Sequence, residues 1–253
     1  MIDIHSHLIP GIDDGAKDME ESIAMARAAV EEGIHTLIAT PHHANGKYDN
    51  PWKRVVQAVH DVNEALKEQG IPLTVLSGQE IRVYSRLLED LHNDIAGTLH
   101  STPYILIEFP TREIPKETES LFHELRVMGL VPIIAHPERN IELAENPSKL
   151  ERLIRQGALS QITSHSINGL FGKKIQKLSL EMCKHHLAHF IASDAHNMKY
   201  RAFGLREAYA LLSRQLGDRL VQGYMENAEK LIRGEAVEAP EPGWRDKAWW
   251  RFW

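Results

Sequence analysis

The apolar runs of this chain are punctuated by histidines and carboxylates, and that pattern constrains its fold more than any other feature. IDIHSH carries His5 and His7, LIATPHH carries His42, and LTVLSGQE ends on Glu80. YILIEF carries Glu108, VPIIAHPER carries His136, and HFIASDAH closes on Asp194 and His196. Each run is short, apolar and rich in β-branched residues, as expected of a buried strand. Imidazoles and carboxylates are expensive to bury unless a partner charge holds them. One such strand end is explained by a core hydrogen bond, but six of them are not. The economical reading is a multinuclear metal centre at one mouth of an α/β barrel.

Between these runs the apolar spacing switches to the helical period. Strands are expected at 1–5, 34–39, 73–76, 104–109, 131–135, 158–163 and 188–193. The first helix should start at Asp18, with Glu21 three residues on in a capping-box arrangement, and close at Gly33. Asn50 is read as the N-cap of the second, with Pro51 in its first position and Val55, Val59, Val62 and Leu66 on one face. Further helices are expected over 85–93, up to Gly129, from Asn146 and Pro147 to Gly157, over 173–186 and over 202–216, with a short last one after Asn227. Seven strand–helix units in one run imply a parallel sheet covered on both faces. A closed barrel is preferred to an open sheet. The polar residues gather at the C-terminal ends of nearly all strands, whereas an open sheet would concentrate them at one switch point. The domain is expected to span 1–235, followed by a proline-containing tail over 236–253.

Bulk properties exclude other classes. With 253 residues and 43% apolar content the chain can bury a substantial core. A net charge of -6 offers no basic field for nucleic acid. Cys183 is the single cysteine, which excludes an internal disulfide and fits a cytoplasmic setting. No apolar run approaches the roughly 18 residues of a membrane span, and MIDIHSH does not read as a signal peptide.

His5 and His7, two apart on an extended segment, point to one side and can chelate one ion. PGIDDG supplies Asp13 and Asp14, and Pro41 keeps Thr40 extended so that His42 lies just beyond its strand. With Glu80, Glu108, His136, Asp194 and His196 these form a nitrogen and oxygen donor set without thiolate, suited to Mn, Fe or Zn. Nine ligands exceed what one ion takes, so two or three ions sharing a carboxylate are expected. Such ions acidify a bound water and clamp the attacking and leaving oxygens of a phosphoryl transfer. Arg139 and Arg201 are candidates to hold the phosphate through paired N–H donors. Metal-dependent phosphate-ester hydrolysis leads; metal-dependent amidohydrolysis is the second possibility. A Cys-x5-Arg loop is absent because His189, not Arg, follows Cys183 six positions on, and no GxxxxGK[ST] stretch exists.

DIHSH, TPHH, QEIR, IEFP, AHPERN and SDAHN, in this order, resemble the PHP (polymerase and histidinol phosphatase) superfamily. More narrowly, the chain is similar to the manganese-dependent tyrosine-protein phosphatases of bacterial capsule and exopolysaccharide operons, over about residues 1–235. The resemblance implies a distorted (β/α)7 TIM-like barrel and three metal positions. His5, His7, Glu80 and Asp194 would hold one ion; Glu80 would bridge to a second held by Glu108 and His136; Asp14, His42 and His196 would hold the third. Arg139 and Arg201 would bind phosphate, Mn2+ would be the metal, and the substrate would be phosphotyrosine in the tail of a membrane-associated bacterial tyrosine kinase. A small phosphoester such as histidinol phosphate, or a non-catalytic module that binds the kinase tail, is the rival reading.

Other residues have plainer explanations. His43 is read as a rim or supporting residue, and His35, His60, His92, His100, His123 and His165 as surface or ordinary polar contacts. His185 and His186 suit a helix C-terminus, and Asn140 and Asn197 suit loops. In the tail, Trp244, Trp249, Trp250, Phe252 and Trp253 alternate with Arg245, Lys247 and Arg251, a mixture suited to weak contact with a membrane interface or a partner.

Overall fold

A computed structural model describes residues 1–238 and 240–244. Among the described residues nine strands are present: β1 (Ile2–Ser6), β2 (Thr36–Ala39), β3 (His42–His43), β4 (Thr74–Ser77), β5 (Glu80–Arg82), β6 (Tyr104–Glu108), β7 (Val131–Ala135), β8 (Leu159–Thr163) and β9 (Phe190–Ala192). All pairings are parallel and fall in two sheets, one ordered β1-β2-β4 and the other β3-β5-β6-β7-β8-β9. A Ser6–Ala195 bridge connects them, reinforced by amides of Asp194 and His7 donating to the carbonyls of His5 and Ala195, both at 2.8 Å.

Among the described residues no single closed sheet forms, so the expected barrel is interrupted. The physical reason lies at two kinks. Pro41 separates β2 from β3 and Gly78 separates β4 from β5, so each passage pairs first in one sheet and then in the other. A Cβ on Gly78 would lie 2.7 Å from Ile38 and 2.8 Å from Leu99, so only glycine admits that approach. Pro41 removes an amide from the ladder.

Helices follow most strands. Helix Met19–Glu31 starts as expected: the Glu21 amide donates to Asp18 Oδ1 at 2.9 Å, while the Glu21 carboxylate accepts from the Lys17 amide. Helix Trp52–Glu68 buries the expected stripe of Val55, Val59, Val62 and Leu66. Asn50, however, does not cap it. Its side-chain amide donates to the carbonyls of Ile12 and His42, tying two loops beside the strand ends. The last helix runs Asp218–Ile232 and is therefore not short; Gly217 (φ 95°) breaks what would otherwise continue from helix Leu205–Leu216. Short helices at Ser164–Asn168 and Ile141–Glu145 were not anticipated, because neither is long enough to show a period. No helix among the described residues is long and apolar enough to cross a membrane.

The core has two parts. One lies between strands and helices, and a smaller one joins Ile4, Ile38, Leu106, Ile133, Leu159 and Phe190 from six strands with Ala228 and Leu231 of the last helix. Chain beyond Gly234 packs back on the domain: the Tyr104 hydroxyl donates to the Glu235 carbonyl, the Gly243 amide donates to the His185 carbonyl, and Trp244 meets the His185 ring edge-on. The remaining tail aromatics, Trp249 to Trp253, lie outside the described residues.

Asp3 fastens β1 to the end of β9. Its carboxylate accepts from the Ser193 amide at 3.0 Å and from the Ser193 hydroxyl at 2.5 Å. Full burial nonetheless pushes its pKa up to about 6, the Ser193 hydrogen bonds opposing. An unfolded aspartate releases its proton near pH 4, so folding takes up a proton between those values and stability falls as pH rises through that interval. Asp3→Asn keeps an acceptor and adds a donor for the Ser193 hydroxyl. The variant is therefore expected to gain on the wild type by about 2–3 kcal/mol between pH 4 and pH 7, read from urea midpoints of both proteins.

Candidate metal centre

The strand ends deliver their polar side chains into one buried cluster. His5 and His7 leave β1 on the same side, and each ring is oriented from behind. His5 Nδ1 lies 3.0 Å from Gln161 Oε1 on β8, and His7 Nδ1 lies 2.6 Å from Asp13 Oδ2. His196 Nδ1 donates to the Asp194 carbonyl at 2.9 Å. An oxygen that accepts from one ring nitrogen leaves the other as a lone pair, the arrangement that presents histidine to a metal.

Those inward nitrogens meet carboxylate oxygens at uniform spacing. Glu80 Oε2 and Asp194 Oδ1 each lie 3.4 Å from His5 Nε2 and 3.3 Å from His7 Nε2, and the two nitrogens are 3.4 Å apart. Each carboxylate oxygen thus faces both ring nitrogens, the disposition of donors around a shared cation. Two lone pairs facing at 3.4 Å repel unless a cation lies between them.

Around this core, His42 Nδ1 approaches Glu80 Oε2 at 2.9 Å and Glu108 Oε2 at 3.8 Å. Asp14 Oδ1 lies 3.5 Å from Nε2 of both His42 and His196. His136 Nε2 contacts Glu80 Oε1 at 2.7 Å. Four groups have ligand atoms mutually within 4.8 Å: His7, Asp14, His42 and His196; His5, His7 and Glu80; His5, His136 and Asp194; and His42, Glu80 and Glu108. All nine residues singled out in the sequence are thus brought together. The grouping differs in detail from the one that the resemblance implies: Glu108 sits with His42, and His136 with His5 and Asp194. Asp14 faces the donors, whereas Asp13 stands behind His7 and also accepts from the amides of Gly15 and His42. Gly15 is obligatory there, since a Cβ would fall 1.9 Å from the His7 carbonyl oxygen.

Asp194 serves both sides of the site. While Oδ1 faces the histidines, Oδ2 accepts from Arg139 at 2.5 Å and from Arg201. Both arginine side chains remain about one quarter exposed, at 25% and 27%, so they line the open side. His136 (φ 32°) and Asp194 (φ 53°) are both left-handed, a backbone strain of about 1–3 kcal/mol each that the surrounding pairing must hold.

Electrostatics agree with a cation-seeking site. Burial would drive His5 and His7 down, yet the charges of Glu80 and Asp194 on the first and Asp13 on the second outweigh it, and both rise. Burial likewise opposes ionisation of Asp194, but Arg139, His5 and Arg201 hold it well below the usual carboxylate range. Glu108 is pushed up by burial and by the Glu80 charge. Burial and the Arg139 charge lower His136 to about 4, so its imidazole is neutral and able to act as a ligand. Three buried atoms facing the cluster lack aligned hydrogen bonds: His42 Nδ1 and Glu80 Oε2 meet at 2.9 Å without hydrogen-bond alignment, and His196 Nε2 has Asp14 Oδ1 only at 3.5 Å. Orphans of this kind need an explanation, and shared divalent ions supply one.

Several supporting residues escaped sequence reasoning. Arg82 clamps Glu108 Oε2 through Nε at 2.9 Å and a terminal nitrogen at 2.8 Å, its signal being a position two residues past Glu80 on the same strand. Gln161 carried no signal, because its partner is 156 residues away. His165, read as a surface residue or an ordinary polar contact, is buried, lies within the fields of Arg139 and Arg201, and meets Phe171 edge-on. His43 is buried, but pairs with Asp49 at 3.0 Å, away from the donors.

The fold and site define a single-domain α/β protein of parallel sheets with a buried nitrogen–oxygen donor cluster at its strand ends. Fold-level neighbours agree: a phosphotriesterase from Mycobacterium tuberculosis superposes over 94% of each chain with a TM-score of 0.58 at 11% identity. Residues 1–233 match the family model for capsular polysaccharide synthesis, CpsB/CapC. The tyrosine-protein phosphatase YwqE of Bacillus subtilis is 49% identical over 249 residues, covering 98% of both chains. A putative tyrosine-protein phosphatase CapC of Staphylococcus aureus is 39% identical over 253 residues, covering 98% of both. A solved chain from the structures of YwqE and of Streptococcus pneumoniae CpsB, described as unique metal-dependent tyrosine phosphatases, superposes with a TM-score of 0.95 at 48% identity, over 98% of this chain and 100% of that one. The chain belongs to the CpsB/CapC family.

Removing the acceptor behind His7 should free its ring. Asp13→Ala is expected to weaken divalent-metal binding about 10–100-fold, and Asp13→Asn, which keeps an oxygen, by less. Calorimetric titration of the metal-stripped proteins measures this.

Proposed function

We propose that this chain is a metal-dependent protein-tyrosine phosphatase whose nine converging donors hold a cluster of divalent ions, Mn2+ foremost, with Fe, Zn, Co or Mg sharing the same donor preference. His5, His7, Glu80 and Asp194 would hold one ion; Glu80, Glu108 and His136 would serve a second; Asp14, His42 and His196 would hold the third, His42 lying near Glu80 and Glu108 as well as Asp14. Bound ions supply charge neutralisation and an acidified water for attack on phosphorus. The supporting observation is the division of Asp194 between buried histidines on one side and two part-exposed arginines on the other.

The chain's own groups do the positioning. Arg139 and Arg201 share one carboxylate oxygen, which fixes both guanidinium groups while leaving further N–H donors for a phosphate. With attack from the side of the buried donors, an in-line displacement would direct the ester oxygen away from them, toward the open side that Arg139 and Arg201 line. A phenolate, with a pKa of about 10, leaves without the proton an alkoxide would require. The substrate is a phosphotyrosine-bearing protein, read as the tail of a membrane-associated bacterial tyrosine kinase that controls capsule or exopolysaccharide synthesis, and the setting is cytoplasmic. The two sheets are read as a distorted (β/α)7 barrel opened at the Pro41 and Gly78 kinks, with the tail from 236 as an appended segment.

Metal-loaded protein is expected to hydrolyse p-nitrophenyl phosphate and a phosphotyrosine peptide, and to lose turnover on chelation. His136→Ala should lower kcat at least about 1000-fold, and Arg139→Lys should lower kcat/KM by about 10–100-fold through loss of the planar donor fork. Peptide binding without chelator-sensitive turnover would show a binding module instead, and preference for histidinol phosphate would reassign the substrate.

A further inference from the structure

The mouth above the arginines carries two aromatic rings that the metal centre does not require. Phe171 sits on a tight loop between Gly169 (φ 85°) and Gly172 (φ 93°), closed by the Gly172 amide donating to the Gly169 carbonyl at 3.0 Å. Its ring lies 5.5 Å from the Arg139 guanidinium carbon and 6.1 Å from the His165 ring. The preceding Leu170 is 55% exposed. Tyr48 is half-buried and nearly parallel to His42, with ring centres 6.1 Å apart.

These rings belong to strand ends well separated in the sheet. Tyr48 follows β3, while Arg139 and Phe171 follow β7 and β8, three and four strands away in the order β3-β5-β6-β7-β8. In-line displacement sends the ester oxygen away from the buried floor, where His5 and Glu80 are fully inaccessible, and past the arginines. A phenol leaving past the arginines would meet Phe171, which packs on Arg139, while Tyr48 is held against the donor His42. An alkyl side chain such as that of serine is too short to reach them while its phosphate stays on the arginines.

We propose that Phe171, with Leu170 beside it, and Tyr48 are the specificity-determining walls that receive the aromatic ring of the substrate. This rests on the phosphatase reading above and deepens it. Edge-to-face or stacked contact with a substrate ring adds to binding only when a ring is present, so the walls discriminate aryl from alkyl phosphates. Phe171 already packs against Arg139, so the wall and the phosphate clamp are held in register.

The test uses phenylphosphonate and methylphosphonate, which share the anion and differ in the ring. Binding to metal-loaded full-length protein is measured by calorimetry, and inhibition of p-nitrophenyl phosphate turnover in parallel. Phe171→Ala and, independently, Tyr48→Ala should each weaken phenylphosphonate about tenfold and methylphosphonate less than about twofold, with Phe171→Tyr close to wild type. Equal weakening of both ligands would reduce Phe171 to a support for Arg139, and unchanged affinity for both would remove the walls altogether; either result overturns the proposal. Tyr48 is on a loop, so its variant gives an answer even if Phe171→Ala fails to fold. Absence of chelator-sensitive turnover in the wild type would overturn the phosphatase reading instead, while calorimetry still reports on the walls.

Discussion

The Asp194 carboxylate is the contact on which the rest of the site depends. It is buried, left-handed in backbone, and divided between two histidines through one oxygen and two arginines through the other. A lone carboxylate at that depth would lose several kcal/mol of hydration with nothing in return. Its presence therefore obliges the surrounding groups to be cationic or to recruit a cation. The same residue lies at the seam between the two sheets, where its amide donates to the His5 carbonyl. Charge balance and closure of the fold are thus one problem solved at one residue.

Outward from Asp194, each layer exists to hold the one inside it. Asp13 and Gln161 hold the rings of His7 and His5, and Gly15 lets the Asp13 loop approach His7 closely. Arg82 offsets the charge of Glu108 next to Glu80. With no cation between them the donors would face one another as repelling lone pairs or take up protons, and the charges of Glu80 and Asp194 on His5 and of Asp13 on His7 raise both rings despite burial. The left-handed turns at His136 and Asp194 aim two strand-end side chains inward at a local cost that only the strand pairing around them can sustain.

Residues that contribute through type and periodicity were legible in the chain. His5 and His7 are two apart on a strand, and Val55, Val59, Val62 and Leu66 follow the helical period; both patterns are local and survive into the structure. What was misjudged depends on partners far away in sequence. Asn50 looks like a helix cap, yet its side-chain NH2 donates to the carbonyls of Ile12 and His42, 38 and 8 residues away, and its oxygen meets no helix amide. His165 has no spacing signal, but it follows β8 directly, and parallel pairing with β7 and β9 carries that strand end into the field of the arginines.

Sequence by itself determined the alternation of strand and helix, the donor set and its chemistry, and membership of a metal-dependent class, since hydrophobic period and ligand type are properties of short segments. Tertiary structure alone decided that Asp14 rather than Asp13 faces the donors, that His42 reaches both Glu80 and Asp14, and that the sheet breaks at Pro41 and Gly78 instead of closing. It also placed Phe171 against Arg139. Those outcomes depend on which atoms fall within about 3 Å of each other after the chain has folded, and hydrogen bonds and charge pairs are decided at that range.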